Sequence, residues 1–222
     1  MKVGTKSVLF GAHCFLLHPL FVAIAWIKLF GWPWDPRVWI AFFVHDLGYI
    51  GKPNMDGYEG ETHVELGAKI MGIFGKEWSD FSKYHSRHYA KRDNAKPSKL
   101  CFADKLAIYI TPWWLYLPLV NLTGEIKEYM THAQQRETKR WKPVYGQREW
   151  FRQLGTYMKN WVYEHIDGSE DIWTEKRHEN ITEVKPHETR VNWNHVIFLI
   201  TCIGGSVVVW TSLITLLKHI AR

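Results

Sequence analysis

Hydrophobic residues along this chain recur with helical rather than strand spacing. Val38 to Tyr49 is an apolar run whose polar residues collect at its end, and Glu61 to Phe74 alternates with a period near 3.6 residues. Lys99 to Ile110 aligns Leu100, Ala103, Ala107 and Ile110 on one side. Gln147 to His165 carries a broad apolar face of Trp150, Phe151, Leu154, Met158, Trp161 and Val162 beside Arg148, Arg152 and Lys159. A helix packed on the core is expected there, with a helix lying at a membrane interface as the competing reading. No pair of segments suggests a hairpin, and the chain carries neither an internal repeat nor a low-complexity tract. The pattern predicts an all-α fold.

Two runs are more apolar still. Val8 to Ile27 follows Lys2 and Lys6 in the manner of a signal anchor, but His13, His18 and Pro19 interrupt it, so it is read as a buried core helix that carries ligands. Val196 to Leu217 contains no charge, amide or proline and is long enough for the roughly 20 residues that a bilayer core requires. A single-pass transmembrane helix is expected over this segment. The alternative is a wholly buried helix or an oligomer seam built on Gly204, Gly205 and Ser206. Asp167 to Arg190 is polar and aperiodic, which reads as a linker. Lys176, Arg177, Lys185 and Arg190 precede the span and only Lys218 and Arg222 follow it, a bias that leaves the main domain on the cytoplasmic side. Ile110 to Val120, with Pro112 and Pro118, is too rich in proline for an ordinary core helix and is expected to cap a site.

Composition narrows the class. With 46% hydrophobic and 23% charged residues the chain is neither disordered nor a coiled-coil rod. The formal charge of +6 favours anionic partners such as phosphates or lipid surfaces, without any specific nucleic-acid signature. Cys14, Cys101 and Cys202 lack metal-ligand spacing and leave an odd count, so neither a disulfide framework nor a zinc ribbon is indicated. Twelve histidines are unusual, and their positions carry the chemistry.

In Phe42-Phe43-Val44-His45-Asp46-Leu47-Gly48 an apolar helix ends in an adjacent imidazole and carboxylate. Neighbouring helical residues diverge by about 100°, so such a doublet can serve two metal ions, the carboxylate bridging them. His63 follows in EGETHVELGAKI, His85 and His88 in KYHSRHYAKRD, and Asp104 in LCFADKLAI. Glu59 and Glu61 are placed to orient ligand histidines from behind, with a carboxylate favoured by a helix N-terminal dipole as the equal alternative for either. Arg87, Lys91 and Arg92 are placed to hold phosphate oxygens, against the alternative of a solvated basic loop.

The order of these residues resembles the HD superfamily of metal-dependent phosphohydrolases: a His on an early helix, a His-Asp doublet, intervening histidines and a late Asp. HDLGYIGKP followed by HVELGAKI is closest to the sensor-type domains that include the HD-GYP phosphodiesterases, and the resemblance spans roughly residues 10 to 115. It implies metal ligation by His18, His45, Asp46, His63, His85 and Asp104, with His88 in reserve and His13 as the alternative to His18. It also implies catalysis at Asp46 and His45, and an all-helical HD bundle. The family's lysine after the doublet is replaced by Tyr49, with Lys52 nearby as a shifted substitute and a third candidate, beside Arg87 and Lys91, for holding substrate. The Gly-Tyr-Pro signature is absent, which leaves cyclic di-GMP without support.

The resulting expectation is a metal-binding helical domain over 1–133, a helical extension over 134–166, the linker over 167–190 and the anchor over 191–222. One or two divalent ions drawn from Mn, Fe, Co, Ni, Mg or Zn are implied, acting on a nucleotide or other phosphate ester, with oligomerisation left open. Two other readings keep the same residues: a di-iron oxygenase on a related scaffold, or a metal-stabilised binding or signalling module without catalysis.

Overall fold

The computed structural model describes residues 1–135 and 146–168. Among them the secondary structure is helical, with no strand: α1 (Val3–Phe10), α2 (His18–Phe30), α3 (Pro36–Val44), α4 (Tyr58–Glu61), α5 (Val64–Met71), α6 (Lys76–Lys83), α7 (Arg87–Arg92), α8 (Lys99–Ile110), α9 (Trp113–Thr123), α10 (Glu125–Gln135) and α11 (Gln147–His165). No helix of the described residues is long and apolar enough to cross a membrane. The expected transmembrane segment over 191–222, and the linker beyond Gly168, lie outside the described residues.

Two hydrophobic clusters hold the bundle. The first joins Val22, Ala23 and Trp26 of α2, Ala41 and Phe42 of α3, Met71 of α5, Leu100 to Ala103 and Leu106 of α8, and Trp161 and Val162 of α11. Phe42, Leu100 and Met71 are fully buried there, and truncating one to alanine would cost about 2–5 kcal/mol in lost transfer energy and cavity. The second joins Val8 of α1, Tyr116, Leu117 and Val120 of α9, Ile126 and Tyr129 of α10, and Trp150 and Phe151 of α11. Helices α8 and α11 run antiparallel through both: Phe102 stacks on Trp161 at 5.4 Å, and Gly155 lies against Tyr109.

Local chemistry explains the helix bounds. The Asp35 side chain accepts from the Arg37 N–H at 2.9 Å and Pro36 opens α3. Ser98 likewise caps α8 through the Cys101 N–H. Two sequence expectations need correction. The run Val8 to Ile27 is two helices rather than one: α1 stops at Phe10, where Gly11 is extended, and α2 starts afresh at His18 with Pro19 in its first turn. Ile110 to Val120 is largely helical despite its prolines. Pro112 caps α9, and Pro118 deprives only the carbonyl of Trp114, an exposed residue, of its donor.

Candidate metal centre

Six of the singled-out residues converge, five of them at helix ends or in the turns between helices. His18 opens α2, His45 and Asp46 follow the last turn of α3, His63 precedes α5, His85 lies between α6 and α7, and Asp104 sits inside α8. All are buried or nearly so. Two glycines permit the approach. A Cβ on Gly48 would fall 1.8 Å from the His63 carbonyl oxygen, and one on Gly67 would fall 3.0 Å from the His45 Cα.

The cluster divides into two groups that share Asp46. In the first, His18 Nε2 lies 3.3 Å from Asp46 Oδ2 and 3.0 Å from Asp104 Oδ1, while His45 Nε2 lies 3.1 Å and 3.9 Å from the same two atoms. In the second, the other Asp46 oxygen, Oδ1, stands 3.4 Å from His85 Nε2 and 3.7 Å from His63 Nε2. The two carboxylate oxygens therefore face different sets of nitrogen donors, and each set is a group able to hold a metal ion.

Backbone carbonyls fix the imidazoles. Nδ1–H of His45 donates to Phe42 at 3.0 Å, that of His63 to Gly60 at 2.8 Å, and that of His85 to Ser82 at 2.5 Å. A carbonyl only accepts, so each Nδ1 carries the proton and each Nε2 turns a lone pair into the cluster. His63 and His85 bring those nitrogens within 3.1 Å of each other. Two lone pairs facing one another and an Asp46 oxygen, without a proton among them, form an arrangement that a cation completes. In the first group, His18 Nε2, His45 Nε2 and Asp46 Oδ2 are buried with no hydrogen-bond partner, the His18 contacts being short but misaligned. Metal–ligand bonds of about 2.1 Å meeting near right angles separate adjacent ligands by about 3 Å, close to the spacings observed. Imidazole with carboxylate and no thiolate suits Mn, Fe, Co, Ni or Zn.

Electrostatics agrees with this division. Burial lowers the His18 pKa, but the Asp104 and Asp46 carboxylates outweigh it and push the group up to about 9. Burial, reinforced by His85, holds His63 well below the usual histidine range, and burial chiefly lowers His85. Burial would raise the Asp46 carboxyl, yet His45, His13 and His18 keep it well below the usual carboxylate range. Asp104 is likewise held down against burial by Lys105 and His18.

The remaining candidates fall elsewhere. His13 belongs to neither metal group: its Nδ1 lies 2.9 Å from Ser7 Oγ and 3.8 Å from Glu125 Oε2, and its ring packs on Tyr49 at 4.6 Å. His88 is exposed on α7 at the cavity wall, outside both groups. Lys52 points away, donating from Nζ to Thr62 Oγ1, and does not line the cavity. Glu59 is held by Asn54 at 2.7 Å, and Glu61 lines the cavity, while the carbonyls just described orient three of the ligand histidines. Arg87 and Lys91 do line the cavity. The Arg87 guanidinium lies 4.8 Å from the Trp161 ring centroid and donates to the Tyr157 hydroxyl at 3.3 Å.

Three contributors escaped the sequence reading. Tyr49 stacks flat on His63, with centroids 4.1 Å apart and planes 6° apart. Lys105, beside Asp104, binds its Oδ2 at 2.7 Å and reaches the cavity, so Asp104 keeps Oδ1 for the cluster. Glu125, fully buried, accepts from Ser7, Ala12, Thr123 and Tyr129 and ties α1 to α10. The adjacency of Lys105 to Asp104 was a usable signal; nothing local marked the other two.

The cluster opens into a cavity of about 690 Å³, walled by α7, α8, α9, α10 and α11 and by the segment around His13. No family model, curated protein or solved structure matches this chain. The helical architecture and the buried His/Asp cluster are compatible with an HD-like fold.

Proposed function

We propose that this chain is a metal-dependent phosphohydrolase of the HD type, holding one divalent ion among His18, His45, Asp46 and Asp104 and a second among Asp46, His63 and His85. The observation that carries the reading is the division of the two Asp46 oxygens between two sets of buried imidazole nitrogens. Divalent ions held there supply Lewis acidity toward phosphoryl oxygens and lower the pKa of a water molecule.

The chain's own residues supply the remaining functions. Lys105 and Arg87 bring positive charge to the cavity beside the cluster, and Lys91 adds to it from α7. Packing on Trp161 and the Tyr157 hydroxyl fixes the Arg87 fork, which suits bidentate contact with non-bridging phosphate oxygens. Asp46 is the shared anion of the centre, and its depressed pKa keeps it ionised at neutral pH. Tyr49, stacked on His63, excludes water from the back of that ligand. The three cations favour a phosphorylated substrate over the oxygenase reading, since oxygen activation on a neutral substrate gives them no role. Attachment to a membrane through Val196 to Leu217, with the catalytic domain on the cytoplasmic face, completes the proposal.

Hydrolysis of a panel of phosphate mono- and diesters by the full chain, stripped by chelator and then restored with Mn²⁺, tests it. Metal-restored release of phosphate or alcohol is expected. Full metal retention with no ester cleaved across the panel would favour the binding-module reading.

A further inference from the structure

The cavity has two chemically different ends. Lys105 binds Asp104 at the metal centre, and Arg87, two residues after His85, and Lys91 line the cavity from α7, whereas Ile108, Leu115, Leu119, Leu154 and Met158 supply an aliphatic wall, all of them only half-buried. The helix register orders these ends. Ile108 lies one turn past Asp104 on the same side of α8, and Thr111 lies about 10 Å along the axis from Asp104. Because α11 runs antiparallel to α8, Met158 and then Leu154 follow in the same direction, and α9 supplies Leu115 and Leu119.

Three hydrogen-bonding groups of this second end are engaged within the protein. The Thr111 hydroxyl donates to the Ala107 carbonyl at 2.8 Å, the Tyr129 hydroxyl to Glu125 at 3.0 Å, and the Tyr157 hydroxyl accepts from Arg87. Against a wall dominated by aliphatic side chains a nucleobase would leave most of its polar edge unmatched, a loss that an alkyl chain does not incur. A volume of about 690 Å³ also exceeds what a phosphate alone would occupy.

We infer that the substrate is a phosphate ester of an aliphatic alcohol, its phosphate at the Asp46 centre and its hydrocarbon along the arm formed by Ile108, Leu115, Leu119, Leu154 and Met158. The inference rests on the phosphohydrolase reading for the headgroup and on the arm for the tail, so the two can fail separately.

Calorimetric binding of methyl-, butyl- and octylphosphonate to the Mn²⁺-loaded full chain tests it, with octanol as the headgroup-free control. Affinity should rise by about two- to fourfold per methylene within the arm. Leu115→Glu, or Leu154→Gln should the first variant fail to fold, should flatten that series while leaving metal content and methylphosphonate affinity unchanged. Measuring variant and wild type in the same preparation cancels partition into detergent or lipid. A flat wild-type series with methylphosphonate bound, or adenosine 5′-phosphonate bound more tightly than octylphosphonate, overturns the arm and keeps the phosphate site. A steep series matched by octanol keeps the arm and overturns the phosphate headgroup. No binding by any probe overturns both.

Discussion

Protons and metal ions compete for one half of the centre and not for the other. In the metal-free protein His18 sits between Asp46 and Asp104 with its pKa pushed up to about 9, so at pH 7 it carries a proton on the nitrogen that a metal would use. Removing that proton at pH 7 costs about two pKa units, or about 2.7 kcal/mol, and weakens the first group's apparent affinity about a hundredfold relative to its value above pH 9. His63 and His85 have lowered pKa values and are already neutral at pH 7, so the second group bears no such cost. Titration with Mn²⁺ between pH 7 and 9, in buffers of different ionisation enthalpy, should give one ion bound without proton release. The other should release about one proton, with affinity rising about tenfold per pH unit. Stability follows with the opposite sign. A histidine raised from 6.5 to about 9 contributes up to about 3 kcal/mol to the metal-free fold below pH 6.5, and that contribution disappears between pH 6.5 and 9. The gap in melting temperature between metal-loaded and metal-free protein should therefore widen across this interval. Two ions that bind without proton release and with flat affinity from pH 7 to 9 would refute the reasoning.

Two further substitutions separate chemistry from architecture. Arg87→Lys removes both the planar fork and its packing on Trp161, and should lower kcat/KM for phosphate esters roughly ten- to a hundredfold at unchanged metal content; a change within scatter would mean that Arg87 does not touch substrate. Glu125→Ala leaves the donors of Ser7, Ala12, Thr123 and Tyr129 without their buried acceptor and should cost about 3–5 kcal/mol in denaturant unfolding, again with metal content unchanged, whereas a loss below about 1 kcal/mol would show that water replaces the carboxylate.

What the sequence discloses depends on the range of the interaction. Helices α8 and α11 match their expected bounds because one-sided apolar spacing, and at α8 the Ser98 cap, act within a few residues. The α3 end at His45 was equally legible, since the apolar run stops there. Proline was legible at one end and not at the other. Pro19 opens α2 at His18, as its place in the sequence suggests, while Pro118 is tolerated where the carbonyl it deprives belongs to an exposed residue. Among candidate site residues, those spaced like a known pattern converge, and Lys52 and His13 turn to other partners that only the folded chain reveals. Glu125 was illegible because it acts on Ser7 from 118 positions away. Tyr49 occupied a position read as a missing lysine, and its stacking on His63 depends on how the turn after α3 meets the start of α5.

The central claim is a two-ion centre bridged by Asp46 that hydrolyses phosphate esters, and stepwise reconstitution of the chelator-stripped full chain tests it most directly. Ester hydrolysis is followed against equivalents of Mn²⁺, with bound metal counted by mass spectrometry in parallel, for the wild type and for Asp46→Ala at equal helicity. The account predicts that wild-type activity rises to a break at two ions per chain, and that Asp46→Ala neither retains the pair nor turns over. An Asp46→Ala chain that keeps two ions and full activity, or a wild-type chain that fills with two ions and cleaves no phosphate ester, would contradict it.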